Sequence, residues 1–134
     1  MARDRVRGAS PDWLKELFGF TLVPDLIVFL DAEPELLLHR TFAKYRQLDY
    51  WECGMDLGLD VDMLESFRKY QRFLRDTFHE LAGEYGFVVI DASSDPETIQ
   101  RRIREEVEAF LHGSAPRAGE LARRAEPPGP PIGP

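Results

Sequence analysis

The sequence predicts an α/β fold with a parallel sheet, on three observations. Two short runs rich in Ile, Val and Phe, LIVFL and FVVI, are apolar throughout and read as strands covered on both faces. Each run ends on an aspartate, Asp31 and Asp91. Each is then followed by a proline set among acids, Glu33-Pro34-Glu35 and Asp95-Pro96-Glu97, which suits the first turn of a helix and its positive end. The grammar of strand, aspartate, short loop and proline-started helix therefore occurs twice. Ligands in such sheets sit at the carboxyl ends of the strands, which draws attention first to Asp31.

A chain of 134 residues makes one small domain. Hydrophobic residues make up 43% and charged residues 31%, which excludes wholesale disorder. The net charge of -7 argues against a general nucleic-acid binder or a binder of anionic membranes, while leaving room for a local basic pocket. One cysteine, Cys53, rules out an intrachain disulfide. The first residues lack the apolar core of a signal peptide, and no run approaches the ~20 residues of a membrane span. These features together give a cytoplasmic expectation.

In chain order, residues 1–8 are basic, with Arg3, Arg5 and Arg7. Ser10-Pro11-Asp12 begins a helix that places Trp13, Leu14, Leu17 and Phe18 on one face and ends at Gly19. The first strand spans residues 25–31. A helix follows over about residues 34–46, with Arg40, Lys44 and Arg46 toward its C-terminus, where the helix dipole alone favours cations. Residues 47–60 are irregular and long for a compact domain, the signature of a lid or binding loop that buries Tyr50 and Trp51. Their acids and glycines do not match a calcium-binding helix-loop-helix pattern, so no metal site is assigned. Met63, Phe67, Tyr70, Leu74, Phe78, Leu81 and Tyr85 then form one apolar stripe over residues 62–85, best read as core. The second strand spans residues 87–92. The last helix starts at Pro96 and closes at Gly113. From Ser114 the composition turns rich in Pro and Gly, and residues 114–134 read as a disordered tail.

PDLIVFLDAEPELLLHR, LDYWE, ESFRKYQRFLRDTFHELA and FVVIDAS, in that order, resemble the C-terminal half of thymidylate kinases, a family of P-loop nucleoside monophosphate kinases. The resemblance implies a partial P-loop NTPase-like three-layer fold over residues 1–113. It also implies a nucleotide ligand and the use of ATP and Mg2+. The 134 residues contain no G-x-x-x-x-G-K-[ST] phosphate loop, so the expectation is an incomplete domain: a truncated product, a mis-assigned start or one half of a split protein. A homodimer or a complementing N-terminal half is then the expected partner. Competing readings are an assembly module of the same half-fold, and an independent α/β domain without a nucleotide role.

By the same resemblance, Arg3 and Arg7 lie near the acceptor phosphate or the transferring group, since guanidinium matches phosphate in planar, paired donation. Arg40, Lys44 and Arg46 lead into the lid and reach the donor phosphates or its adenine. Where the family has a lid arginine this chain reads Asp49-Tyr50, and Arg46 is the candidate replacement. Arg3 and Arg46 are therefore the candidate catalytic residues. Asp91, Ala92 and Ser93 match the loop bordering the donor's adenine, and their place at a strand's carboxyl end agrees. Tyr70 and Arg75 match a helix that lines the nucleoside pocket, although Tyr70 sits in the core stripe. His39, His79 and His112 show no acid partner in the sequence and receive no catalytic role; Cys53 reads as inert.

Two evident strands make a marginal core. The isolated chain is therefore expected to aggregate, dimerise or behave as a molten globule, and a sharp cooperative calorimetric melt of a monomer would contradict this.

Overall fold

The computed structural model describes residues 1–22 and 24–113. The tail expected over residues 114–134 lies outside them. Helix α1 spans Ala2–Val6, α2 Pro11–Phe18, strand β1 Val28–Asp31, α3 Pro34–Tyr45, α4 Met63–Tyr85, β2 Val88–Asp91 and α5 Pro96–Leu111, with a 3-10 turn at Met55–Leu57.

Local chemistry explains most boundaries. The Ser10 hydroxyl accepts from the Trp13 amide, Asp62 from the Leu64 and Glu65 amides, and Asp95 from the Thr98 amide. Pro34 and Pro96 open their helices as the sequence suggests. Gly86 ends α4 in the left-handed region, at φ 69°. Arg46 ends α3 in that same region at φ 57°, without being a glycine.

β1 and β2 pair in parallel, with Val28 opposite Val88 and Asp31 opposite Asp91. Both strands are shorter than the apolar runs suggested, because pairing stops where the register ends; the Ile27 carbonyl still accepts from Val88 and the Asp31 carbonyl from Ala92. Ile99 and Ile103 of α5 cover one face through Ile90, Val28 and Val88. On the other face Phe29 stacks on Phe78 of α4, with ring centroids 5.1 Å apart. The order is helix, sheet, helix, the expected three layers.

Most of the α4 stripe is core, as expected: Phe67, Tyr70, Leu74 and Leu81 are buried and Phe78 and Tyr85 half-buried, whereas Met63 at the helix start is exposed. Two segments were not legible in the sequence. The basic N-terminus forms α1, because Ala2 and Val6 pack against Tyr70, Leu74 and Leu81. Helix α2 buries only Leu14 of its apolar face; Trp13, Leu17 and Phe18 are exposed among the described residues. Among the described residues, no helix is long and apolar enough to cross a membrane.

The long loop is fastened down. Cys53 is fully buried beside Leu38 and Phe67, and its carbonyl accepts from the buried Ser66 hydroxyl at 2.8 Å. The Glu52 carbonyl accepts from Gln71, and Lys69 bonds to both the Leu59 carbonyl and the Asp60 carboxylate. Tyr50 and Trp51 are exposed, at 48% and 62%, and meet edge-to-face at 5.3 Å. The expectation that the loop buries them is therefore wrong; Cys53 and Met55 enter the core in their place.

Gly54 is the tightest point of this fastening. It has φ 63°, and a Cβ placed on it would lie 2.7 Å from the Tyr70 ring. Gly54→Ala should destabilise by about 2–4 kcal/mol, combining left-handed backbone cost with overpacking. Gly58 has nearly the same φ, 61°, but open space around it, so Gly58→Ala should cost only about 1 kcal/mol. Urea denaturation of both variants checks the contrast; equal losses would contradict it.

Candidate functional site

The carboxyl ends of the two strands lie side by side, and four elements converge there. Arg75 of α4 forks onto Asp31, with Nε to Oδ1 at 2.6 Å and Nη2 to Oδ2 at 2.9 Å. Its Nη1 donates to Glu33 at 2.6 Å. Nε2 of His79, one turn further along α4, lies 3.1 Å from Asp31 Oδ2, and its ring packs edge-on to Phe29. The Arg75 fork holds the Asp31 carboxyl below its usual 3.8. Asp31 thus has its oxygens engaged and is an anchor. No acid partner for His79 is visible in the sequence; the fold supplies one across 48 residues.

Asp91 sits opposite Asp31 and forms a turn. Its carboxylate accepts from both the amide and the hydroxyl of Ser93, at 2.8 Å each, and these bonds hold its pKa down. Ala92 is 4% exposed, so it can offer a ligand little beyond backbone. Its carbonyl accepts from Arg40 Nη2 at 2.8 Å. Arg40 therefore reaches from α3 to the β2–α5 loop and joins four of the expected residues, Arg40, Asp91, Ala92 and Ser93.

Lys44 lies over the Tyr45 ring, 4.8 Å from its centroid. Arg46 is exposed at the left-handed end of α3. No hydrogen bond or ion pair among the described residues joins either to the 91–93 loop. Both flank an open cleft of about 480 Å3 lined by Tyr45, Gln47, Leu48, Asp49, Tyr50 and Glu52.

The N-terminal arginines form a separate cluster. Arg7 Nε and Nη2 donate to the Asp56 oxygens at 2.9 and 3.3 Å, and Nη1 donates to the Tyr70 hydroxyl at 2.6 Å. Arg3 is exposed one turn before it. Arg5 and Lys15 both bind Glu84, at 3.1 and 2.7 Å, and join α1 and α2 to α4. Burial raises Glu84's pKa, but the two cations outweigh it and the net shift is downward. Cys53 is buried, and burial pushes its thiol up, away from the reactive thiolate. Asp56 and Arg75 are the partners that the sequence did not pair. Arg75 and His79, four apart on α4 and off its stripe, were a legible signal for a shared acid.

No family model matches the chain. Its relatives are thymidylate kinases. It is 29% identical over 114 residues to a probable thymidylate kinase 2 of Saccharolobus solfataricus, covering 84% of this chain and 54% of that protein. It is 35% identical over 88 residues to the thymidylate kinase of Chlorobium limicola, covering 65% and 39%. It is 28% identical over 118 residues to that of Chlorobaculum tepidum, covering 81% and 51%. The chain spans about half the length of the curated relatives it matches, or less. The expected resemblance holds at this level: a thymidylate kinase-like C-terminal portion.

The Asp31 anchor has a pH signature. A depressed folded value means its stabilisation is complete above the usual 3.8 and is lost as pH falls through the lower folded value. Asp31→Asn should cost about 1–3 kcal/mol at neutral pH by replacing the charged, two-oxygen acceptor of Arg75 and His79 with a neutral amide that offers one. The gap between variant and parent should close on acidification below 3.8. Urea melts across pH 2–7, on the order of the carboxylate range, measure it; a pH-independent gap would refute the anchor.

Proposed function

We propose that this thymidylate kinase-like chain supplies the acceptor and lid side of an ATP-dependent phosphotransferase acting on dTMP or a related nucleoside monophosphate. The observation that carries this reading is the Arg40 bridge to the Ala92 carbonyl, which sets a guanidinium beside the loop at a strand's carboxyl end. Phosphoryl transfer is mostly positioning and charge neutralisation. Asp91, Ala92 and Ser93 would border the donor's base through backbone groups held by the Asp91 turn. Arg40 would stiffen that border, while Lys44 and Arg46 would meet donor phosphates from the end of α3. Arg3 and Arg7 would serve the acceptor phosphate. Arg3 and Arg46, both exposed, have the freedom to follow charge as it moves.

ATP would bring the transferable phosphoryl group, with Mg2+ neutralising its charge. Among the described residues, no three His, Cys, Asp or Glu groups converge to hold an ion, and Asp31 is already bound by Arg75. These residues do not make a magnesium cage, and no step is derived through one. β1 has a single neighbour in the described sheet. Its other edge would take a strand from a complementing segment or a second copy, and a glycine-rich phosphate loop would have to come with the former.

These 134 residues alone are expected to convert dTMP to dTDP with ATP no faster than background, and to bind an adenine nucleotide with an affinity that Arg40→Ala lowers about tenfold. A coupled assay and calorimetry test both. Robust turnover would overturn the need for a glycine-rich loop; adenine-nucleotide affinity unchanged in Arg40→Ala would overturn the assigned site.

A further inference from the structure

Helix α2 carries an apolar row that the described residues leave open. Trp13 and Leu17 lie one turn apart, 54% and 44% exposed, and the connector that follows exposes Phe20 and Leu22. The next row of α2 holds Asp12 and Glu16, both exposed and without an ion pair among the described residues. Lys15 is already taken by Glu84, so this side of the helix sets acids beside an indole. The sequence holds a segment of matching chemistry. Residues 127–134, PPGPPIGP, hold five prolines, and Arg123 and Arg124 stand just ahead of them, with Glu126 the one acid among residues 121–134. Proline has its φ set before binding, so a proline-rich stretch loses little entropy when it lies along aromatic side chains.

We propose that residues 123–134 fold back across the Trp13 and Leu17 row of α2 in the same chain. The prolines supply the contact with the indole, and Arg123 and Arg124 supply charge opposite to that of Asp12 and Glu16. Topology puts the segment within reach. Helix α5 starts beyond the carboxyl end of β2 and packs back along the sheet through Ile99 and Ile103, so its last residue, Leu111, lies toward the amino ends of the strands. Helix α2 lies at that end too, because Lys15 bonds to Glu84 at 2.7 Å, shortly before β2 begins. Residues 114–126 span up to about 45 Å when extended, more than the ~34 Å length of α4, the longest helix described. Nothing in this contact depends on a nucleotide.

The test uses the 134-residue chain carrying Trp51→Phe, in which Trp13 is the remaining tryptophan. Pro127→Ser, Pro128→Ser, Pro130→Ser and Pro131→Ser are then introduced together. They should move Trp13 emission to the red and raise its quenching by acrylamide, with circular dichroism unchanged. A synthetic peptide of residues 123–134, added to that variant, should reverse both changes at a concentration on the order of 1 mM, the effective concentration that a short flexible tether supplies. Arg123→Glu with Arg124→Glu should give part of the same red shift; should the serine variant lose helix, this pair decides the matter. Emission and quenching identical with and without the prolines would leave the α2 face to another occupant and overturn the proposal. So would a peptide that reverses neither change. A parent emission that moves to the red on dilution would place the segment on a second copy and overturn the contact within one chain.

Discussion

Two four-residue strands cannot bury themselves, and this constraint shapes everything else in the structure. The surface the sheet lacks is supplied by α4. With 23 residues it runs about 34 Å, long enough to receive α1, α3, β1 and the 3-10 turn along one side. Its stripe serves two clusters in turn. Phe67 closes over Cys53 and Leu38, while Tyr70, Leu74 and Leu81 close under α1. Phe78 then reaches the sheet through Phe29. The helix is long because it must do serially what a wide sheet would do at once.

The ion pair of Asp31 and Arg75 sets the orientation of this arrangement. A strand-end aspartate in an α/β fold invites a catalytic reading. Here its geometry argues otherwise, because the two-point Arg75 fork together with His79 engages three of the carboxylate's roughly four acceptor sites. The pair fixes the strand's carboxyl end against the middle of α4, and α3 leaves from that fixed point. The first turns of α3 place Arg40 over Ala92; its last turn carries Lys44 away from the sheet. Anchor and candidate site are therefore separate groups on neighbouring elements.

Periodicity and punctuation made most of the fold readable. The proline-started helices, the α4 stripe, the Ser10 and Asp95 caps and the parallel strand pair all rest on interactions within a few residues or on a repeating apolar pattern. The misses have a common physical origin. Asp31 with His79, Arg7 with Asp56, and Arg40 with the Ala92 carbonyl span 48, 49 and 52 positions. Residue types alone do not pair such groups; the fold does. Tyr50 and Trp51 were misread for the related reason that an aromatic pair looks buried until a smaller neighbour, Cys53, takes the interior place. The site residues carried by resemblance divide the same way. Arg40 and the 91–93 loop meet, whereas Arg3, Lys44 and Arg46 remain exposed.

The fastening of the long loop also says where motion can reside. From Glu52 onward each turn is held by α4 or α1: the Glu52 carbonyl by Gln71, Cys53 by Ser66, Asp56 by Arg7 and Asp60 by Lys69. Among the described residues, 46–51 make no side-chain hydrogen bond to another element, although Leu48 packs on the Leu38, Cys53 and Phe67 cluster. They begin at Arg46, whose left-handed backbone is a conformation that L residues rarely adopt, and they carry the exposed Tyr50 and Trp51 and line the open cleft. Local opening follows the places with few buried contacts. The least fastened part of the expected lid or binding loop is therefore residues 46–51, and the rest is tied to α4 or α1.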